Sequence, residues 1–255
     1  TGSIYDTDVW REAISNGRSG TLHFIGLHSD GNVHSHIDHL HQLMERAANE
    51  GVKRIRLHLL LDGRDTPPRS ALEYIQQTEL RITALNESND VDIQIGSGGG
   101  RMTITMDRYE ANWDMVHRGY NCHTHGIGRQ FSSASEAIET LYSESDDGDQ
   151  YLDPFVITDT DGHPVGTISN GDAVILFNFR GDRAIEISQA FEDGEFDKFD
   201  RGNAPNVFFA GMLQYDGDLL VPKNYLVDPP VIDRTMGEYL ADSGVRSFAV
   251  SETQK

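Results

Sequence analysis

Cysteine is almost absent. Cys122 is the single one in 255 residues, which excludes an intramolecular disulfide framework and fits a reducing, cytoplasmic compartment. No run approaches the roughly 18 apolar residues of a membrane span, and no basic stretch followed by an apolar one opens the chain, so neither a transmembrane helix nor a signal peptide is predicted. Basic residues are also scarce. The 21 Lys and Arg stand against 41 Asp and Glu, for a net charge of -20, which argues against sequence-independent binding to nucleic acid or to an anionic membrane. An anionic ligand would therefore need a locally basic site. The chain opens on Thr1-Gly2-Ser3 and stops at Lys255 directly after a strand-like run. These ends read as those of an excised piece, with a tag remnant as the other reading of the first residues.

What is present is length for one large domain or two small ones, and a regular alternation of β-rich runs with helical stretches. That alternation predicts an α/β fold, a three-layer αβα domain with a mainly parallel sheet. The predicted strands are 21–27, 52–61, 91–96, 172–179, 206–213 and 245–251. Helices are predicted over 35–51, 71–85, 107–118, 133–143, 183–193 and 234–243. In the first of these, Ile37, Leu40, Leu43, Met44, Ala47 and Ala48 form one apolar face; Ser35 and Asp38 resemble a capping box and Gly51 a stop. The acidic run 143–149 reads as a solvated turn, and residues 119–170 are otherwise the least regular part.

In parallel α/β sheets, ligands bind beyond the carboxyl ends of strands. Five of the six predicted strands end in a polar motif: "HSDGNVHSH", "DGRDTPP", "SGGGRMTITMDR", "RGDR" and "SETQK". Each supplies a potential cation: His34, Arg64, Arg101 with Arg108, Arg180 with Arg183, and Lys255. In so acidic a chain, cations gathered at one sheet edge predict an anion pocket. Arginine suits phosphate or carboxylate because its planar fork donates paired charge-assisted hydrogen bonds. Asp65, beside Arg64, could accept a proton from a substrate hydroxyl or simply hold the arginines.

The histidine-rich stretch "GLHSDGNVHSHIDHL" first suggests a metal. Two ligands four apart on one helical face are what such a site needs, and Leu40 stands where His36 would require its partner. His39 and His41 diverge around the helix. Only His34, at the loop-to-helix junction, keeps a functional role. His123 and His125, near Cys122, read as part of a polar loop rather than a second metal site.

These same motifs, with "FNFRGDRAIEISQAF", occur in order along the chain, and in them the sequence resembles the cofactor-independent (2,3-bisphosphoglycerate-independent) phosphoglycerate mutases, specifically their phosphotransferase domain. The resemblance implies that residues 1–255 are that substrate-binding domain. The implied activity is interconversion of 3-phosphoglycerate and 2-phosphoglycerate in glycolysis through a phosphoserine. It implies substrate contacts from His34, Arg64, Asp65, Arg101, Arg108, Arg180, Arg183 and Lys255, with Asp65 the catalytic proton carrier. The serine and two manganese ions belong, by the same resemblance, to a phosphatase domain whose motifs are not found here, so no metal ligand is expected in this chain. His28 stands where the family commonly has an aliphatic residue and receives no role. The alternative is a phosphoester- or carboxylate-binding module without turnover.

Overall fold

Side-chain parity along the central strands builds the layers in the computed structural model, which describes residues 2–229, 232–248 and 250. The strands are β1 (Leu22–His28), β2 (Arg54–Leu61), β3 (Asp92–Gly100), β4 (Arg129–Phe131), β5 (Phe155–Ile157), β6 (Ala173–Leu176) and β7 (Phe208–Gly211). They form one sheet in the order β4-β5-β3-β2-β1-β6-β7, parallel throughout except where β5 runs antiparallel to β3. Leu22, Phe24, Ile55, Leu57, Ile93 and Ile175 face one side, where they pack with α1 (Asp8–Ser19), α2 (Ile37–Asn49), α3 (Ala71–Ser88) and α5 (Ala134–Glu144). Ile25, Val174 and Leu176 face the other, beneath α4 (Trp113–His125) and α6 (Ile185–Glu192). Helices on both faces of a sheet buried on both sides give the three-layer architecture and explain the near-continuous apolar strands.

Several sequence expectations are corrected. The predicted strand 245–251 has no strand among its described residues, and Val245, Phe248 and Val250 are exposed. The helix expected over 107–118 starts at Trp113. Before it, Tyr109 and Glu110 adopt positive φ, and the Asp107 carboxylate accepts the Asn112 N–H, so the segment 107–112 is a loop. The capping box is absent. His36 is the N-cap of α2 through Nδ1, which accepts from Asp38 N–H, while Ser35 donates to the Leu27 carbonyl. His123 and His125 lie on α4, not in a loop. The irregular region holds β4 and β5, and the sequence reading also missed α1. A seventh helix, α7 (Met236–Asp242), buries no residue.

The acidic run 143–149 is not wholly solvated either. Asp149, 1% exposed, accepts the Ser70 and Ala71 N–H groups at the start of α3, and the Tyr142 hydroxyl donates to it. Gly63, at φ 63°, lets the chain after β2 pass against it, since a Cβ there would lie 2.8 Å from that of Asp149. The excursion between α4 and β6 is thus tied to the loop that follows β2.

Leu57 is fully buried on the four-helix face. Leu57→Ala should lower stability by about 2–5 kcal/mol, read as a shift of the urea midpoint at unchanged slope.

Candidate anion-binding site

The carboxyl ends of β1, β2, β3 and β6 meet at one edge, and each strand delivers its loop there. The centre is a buried ion cluster. Arg101, at the end of β3, is 2% exposed, and its Nη1 lies 2.8 Å from Asp62 Oδ1 and 2.7 Å from Asp65 Oδ2. Asp62, fully buried after β2, also accepts from Ser29 Oγ at 2.5 Å and from the N–H groups of Arg64 and Asp65 at 3.2 Å. One carboxylate thereby fixes the turn that presents Asp65 and joins it to the loop after β1. Gly31 completes the junction: a Cβ there would lie 2.6 Å from the Asp65 carbonyl oxygen.

Asp182, in the loop after β6, is a second hub. Its Oδ1 is 3.0 Å from Arg180 Nε and 3.6 Å from His34 Nδ1, and its Oδ2 is 3.7 Å from Arg108 Nη1. The His34 carbonyl accepts from the Phe179 and Arg180 N–H groups at 2.8 and 3.3 Å, which clamps the first loop to the β6 loop. Arg183 donates to the Met106 carbonyl at 2.5 Å, and its guanidinium is lowered by burial and by the like charges of Arg108 and Arg101. Burial, with the neighbouring Arg101 and Arg180, pushes the His34 imidazole down to about 4 against the opposing pull of Asp182 and Asp65. It is neutral at neutral pH.

Of the residues expected from sequence, the structure brings together His34, Asp65, Arg101, Arg108, Arg180 and Arg183. Arg64 is exposed beside Asp65 and makes no ion pair among the described residues. Lys255 lies outside the described residues. Arg101 proves to be buried between two carboxylates, whereas the side chains of Arg108 and Arg180 keep 41% and 39% of their surface exposed. Sequence reasoning missed Asp62, Asp182 and Ser29. The signal was present for the two acids, each sitting within an Asp/Gly/Arg motif, "DGRD" and "RGDR", where a carboxylate is the natural counter-charge. Beyond Arg180 and Asp182 a cleft of about 790 Å³ continues past Tyr109, Glu186 and Tyr215.

This donor set does not suit a metal ion, because Asp62 and Asp65 are bound to the Arg101 guanidinium and Asp182 sits between the Arg180 and Arg108 guanidinium groups. Among the described residues, one group brings three potential ligand atoms within 4.8 Å: Asp159, Asp161 and His163. All three are exposed, and Asp159 is occupied accepting the N–H groups of Asp161 and His163 in a turn. What the edge can do is hold a multiply charged anion. Two half-exposed arginines share the single charge of Asp182, leaving positive capacity unspent.

Fold and site together define an α/β protein with a mainly parallel sheet and an arginine-lined carboxyl edge. The family model described as "BPG-independent PGAM N-terminus" matches residues 1–217, and the chain belongs to that family, the 2,3-bisphosphoglycerate-independent phosphoglycerate mutases. A protein of Leptospira interrogans named a probable mutase of this kind is 58% identical over 258 residues, covering all of this chain and 47% of its own length. The Prunus dulcis enzyme is 50% identical, with all of this chain and 52% of its own length covered. Leishmania mexicana phosphoglycerate mutase, crystallised at low cobalt concentration, superposes with a TM-score of 0.90 at 46% identity over 95% of this chain and 45% of its own. The chain spans about half the length of the curated relatives it matches.

Two outcomes check the geometry. Asp62→Ala leaves Arg101 with one counter-ion and should cost about 3–5 kcal/mol, much of it recovered when Arg101→Met is added, as in other buried pairs; equilibrium denaturation of the cycle reads this. The His34 imidazole should titrate near pH 4 by proton NMR. Because its folded value lies below the unfolded 6.5, it contributes stability that is fully present above pH 6.5 and is lost as pH falls towards 4.

Proposed function

We propose that this chain is the substrate-gripping half of a phosphoglycerate mutase that interconverts 3-phosphoglycerate and 2-phosphoglycerate in glycolysis. The observation that carries the reading is the sharing of Asp182 among His34, Arg108 and Arg180 at the sheet edge, in a chain whose overall charge would otherwise repel such a ligand. Buried His34 Nδ1 and Asp182 Oδ1 both lack a hydrogen-bond partner. Buried polar atoms seldom stay unpaired, and a ligand carrying both donors and acceptors, such as glycerate, would pair them.

In this reading residues 1–255 are the phosphotransferase domain. Arg108, Arg180, Arg183, Arg64 and Lys255 offset phosphate and carboxylate charge, with Arg101 adding its field from below. Asp65, held by Arg101 and 17% exposed, takes the proton from the attacking hydroxyl and returns it to the leaving one. Phosphoryl transfer depends chiefly on positioning and electrostatics, which is what these residues supply. The serine that carries the phosphoryl group and two manganese ions reside in a phosphatase domain elsewhere in the longer, cytoplasmic protein. The chain by itself therefore binds without turning over.

Assaying this chain with 3-phosphoglycerate and manganese should show binding by calorimetry and no 2-phosphoglycerate; conversion at the rate of a full-length relative would refute the division of labour. Binding should also raise the His34 pKa, since a nearby dianion favours imidazolium. In a full-length relative carrying this half, Arg180→Ala should weaken transition-state stabilisation by roughly 2 kcal/mol, and unchanged catalytic efficiency would remove Arg180 from the site.

A further inference from the structure

Beneath α4 lies a line of buried polar side chains that the anion site does not use. Five contacts join it end to end. His23 Nε2 is 3.3 Å from Asp172 Oδ2, and His23 Nδ1 is 3.0 Å from His58 Nε2. His58 Nδ1 is 2.7 Å from Ser97 Oγ, Ser97 Oγ is 2.8 Å from His123 Nδ1, and His123 Nε2 is 2.9 Å from Thr105 Oγ1. The three imidazoles are fully buried, and Ser97 and Thr105 are 1% exposed. A register shift between β2 and β3, which skips Gly96, is what sets His58 opposite Ser97.

The direction of every hydrogen in this line can be derived. Asp172 accepts N–H groups from Thr21 and Ser169 at 2.7 Å each, and with His23 these hold it below the ordinary carboxylate range despite its burial. It is therefore an ionised acceptor, and His23 must donate to it from Nε2. Burial keeps all three imidazoles neutral, so each has one N–H to give. His23 Nδ1 then accepts from His58 Nε2–H, and His58 Nδ1 accepts from the Ser97 hydroxyl. Ser97 oxygen accepts from His123 Nδ1–H, which leaves His123 Nε2 as an acceptor for the Thr105 hydroxyl. No other assignment satisfies each link.

The far end of the line falls between two arginines of the anion site, Arg101 and Arg108. Thr105 has φ 67°, a left-handed conformation that is an outlier for a β-branched residue. Such a conformation persists only where the surroundings over-determine it. Here the Thr105 N–H donates to the Met115 carbonyl at 3.1 Å, its hydroxyl donates to His123, and Gly119 gives it room, since a Cβ there would lie 2.0 Å from Thr105 Oγ1.

We propose that His123 is a positioning residue for the arginine-bearing loop. Its tautomer, imposed from Asp172 through His23, His58 and Ser97, makes Nε2 a permanent acceptor that locks Thr105 and so sets where Arg101 and Arg108 stand. The link to ligand binding rests on the phosphoglycerate reading above.

Two measurements on this chain test it. Nitrogen-15 NMR of the wild type at neutral pH should show His123 as the Nδ1–H tautomer and His23 and His58 as Nε2–H, all three neutral. A proton on Nε2 of His123, or tautomers in exchange, would overturn the inference whether or not any variant folds. In 3-phosphoglycerate titrations, Thr105→Val and His123→Leu should each lose at least about tenfold in affinity, the worth of one well-placed hydrogen bond. His123→Gln should stay near wild type, because its amide oxygen can accept from Thr105. Equal losses in His123→Gln and His123→Leu would reduce His123 to a packing role and overturn the proposal, as would wild-type affinity in Thr105→Val. A wild type that does not bind 3-phosphoglycerate overturns the functional reading, and the positioning role with it, while leaving the tautomer result standing.

Discussion

The contact on which the site edge depends is the buried fork of Arg101 between Asp62 and Asp65. A buried guanidinium is tolerable only when its charge is met, and here the loop after β2 meets it with two carboxylates, both on Nη1, which outweigh a buried Nε that has no partner. That exchange is mutual. Arg101 stays buried because the β2 loop curls over the end of β3, and it adds two charged contacts to the backbone bonds by which Asp62 already holds that turn. Ser29 extends the bond to the β1 loop through Asp62, so three successive strand ends are locked by one cluster.

Around that fixed centre the remaining cations are deliberately under-paired. Asp182 stands close to three positive or potentially positive groups, enough to keep them from flying apart and too little to neutralise them. The same economy appears in His34, whose neutral imidazole can be a partner to a ligand without adding fixed repulsion to the empty site.

Much of this was legible in the sequence, and the exceptions have physical reasons. The central strands and most helices could be read because burial on both faces leaves long apolar runs and clear periodicity. β4 and β5 could not, being three residues each and defined by pairing at the edge of β3. The segment 245–251 has strand-like composition, yet strand formation depends on a neighbour to pair with, and its described residues have none. At the site, the cations were visible because strand ends collect ligand-binding groups. Of the counter-charges only Asp65 was read, because which aspartate meets which arginine is decided by tertiary approach. His123 was read as part of a polar loop for a similar reason: its partners come from β3 and the loop after it, and no local spacing announces them.

The stretch between α4 and β6 has two ends of opposite character. At one, Asp149 is woven into the start of α3 and packs on Gly63 beside the anion site. At the other, Asp159 to His163 form an exposed tip whose hydrogen bonds, among the described residues, are to one another. Insertions, tags or reporter groups belong at the tip, where nothing downstream would register them. A single residue added or lost near Asp149 would be felt at Asp65, because Gly63 in the turn carrying it packs against the Asp149 backbone and Cβ.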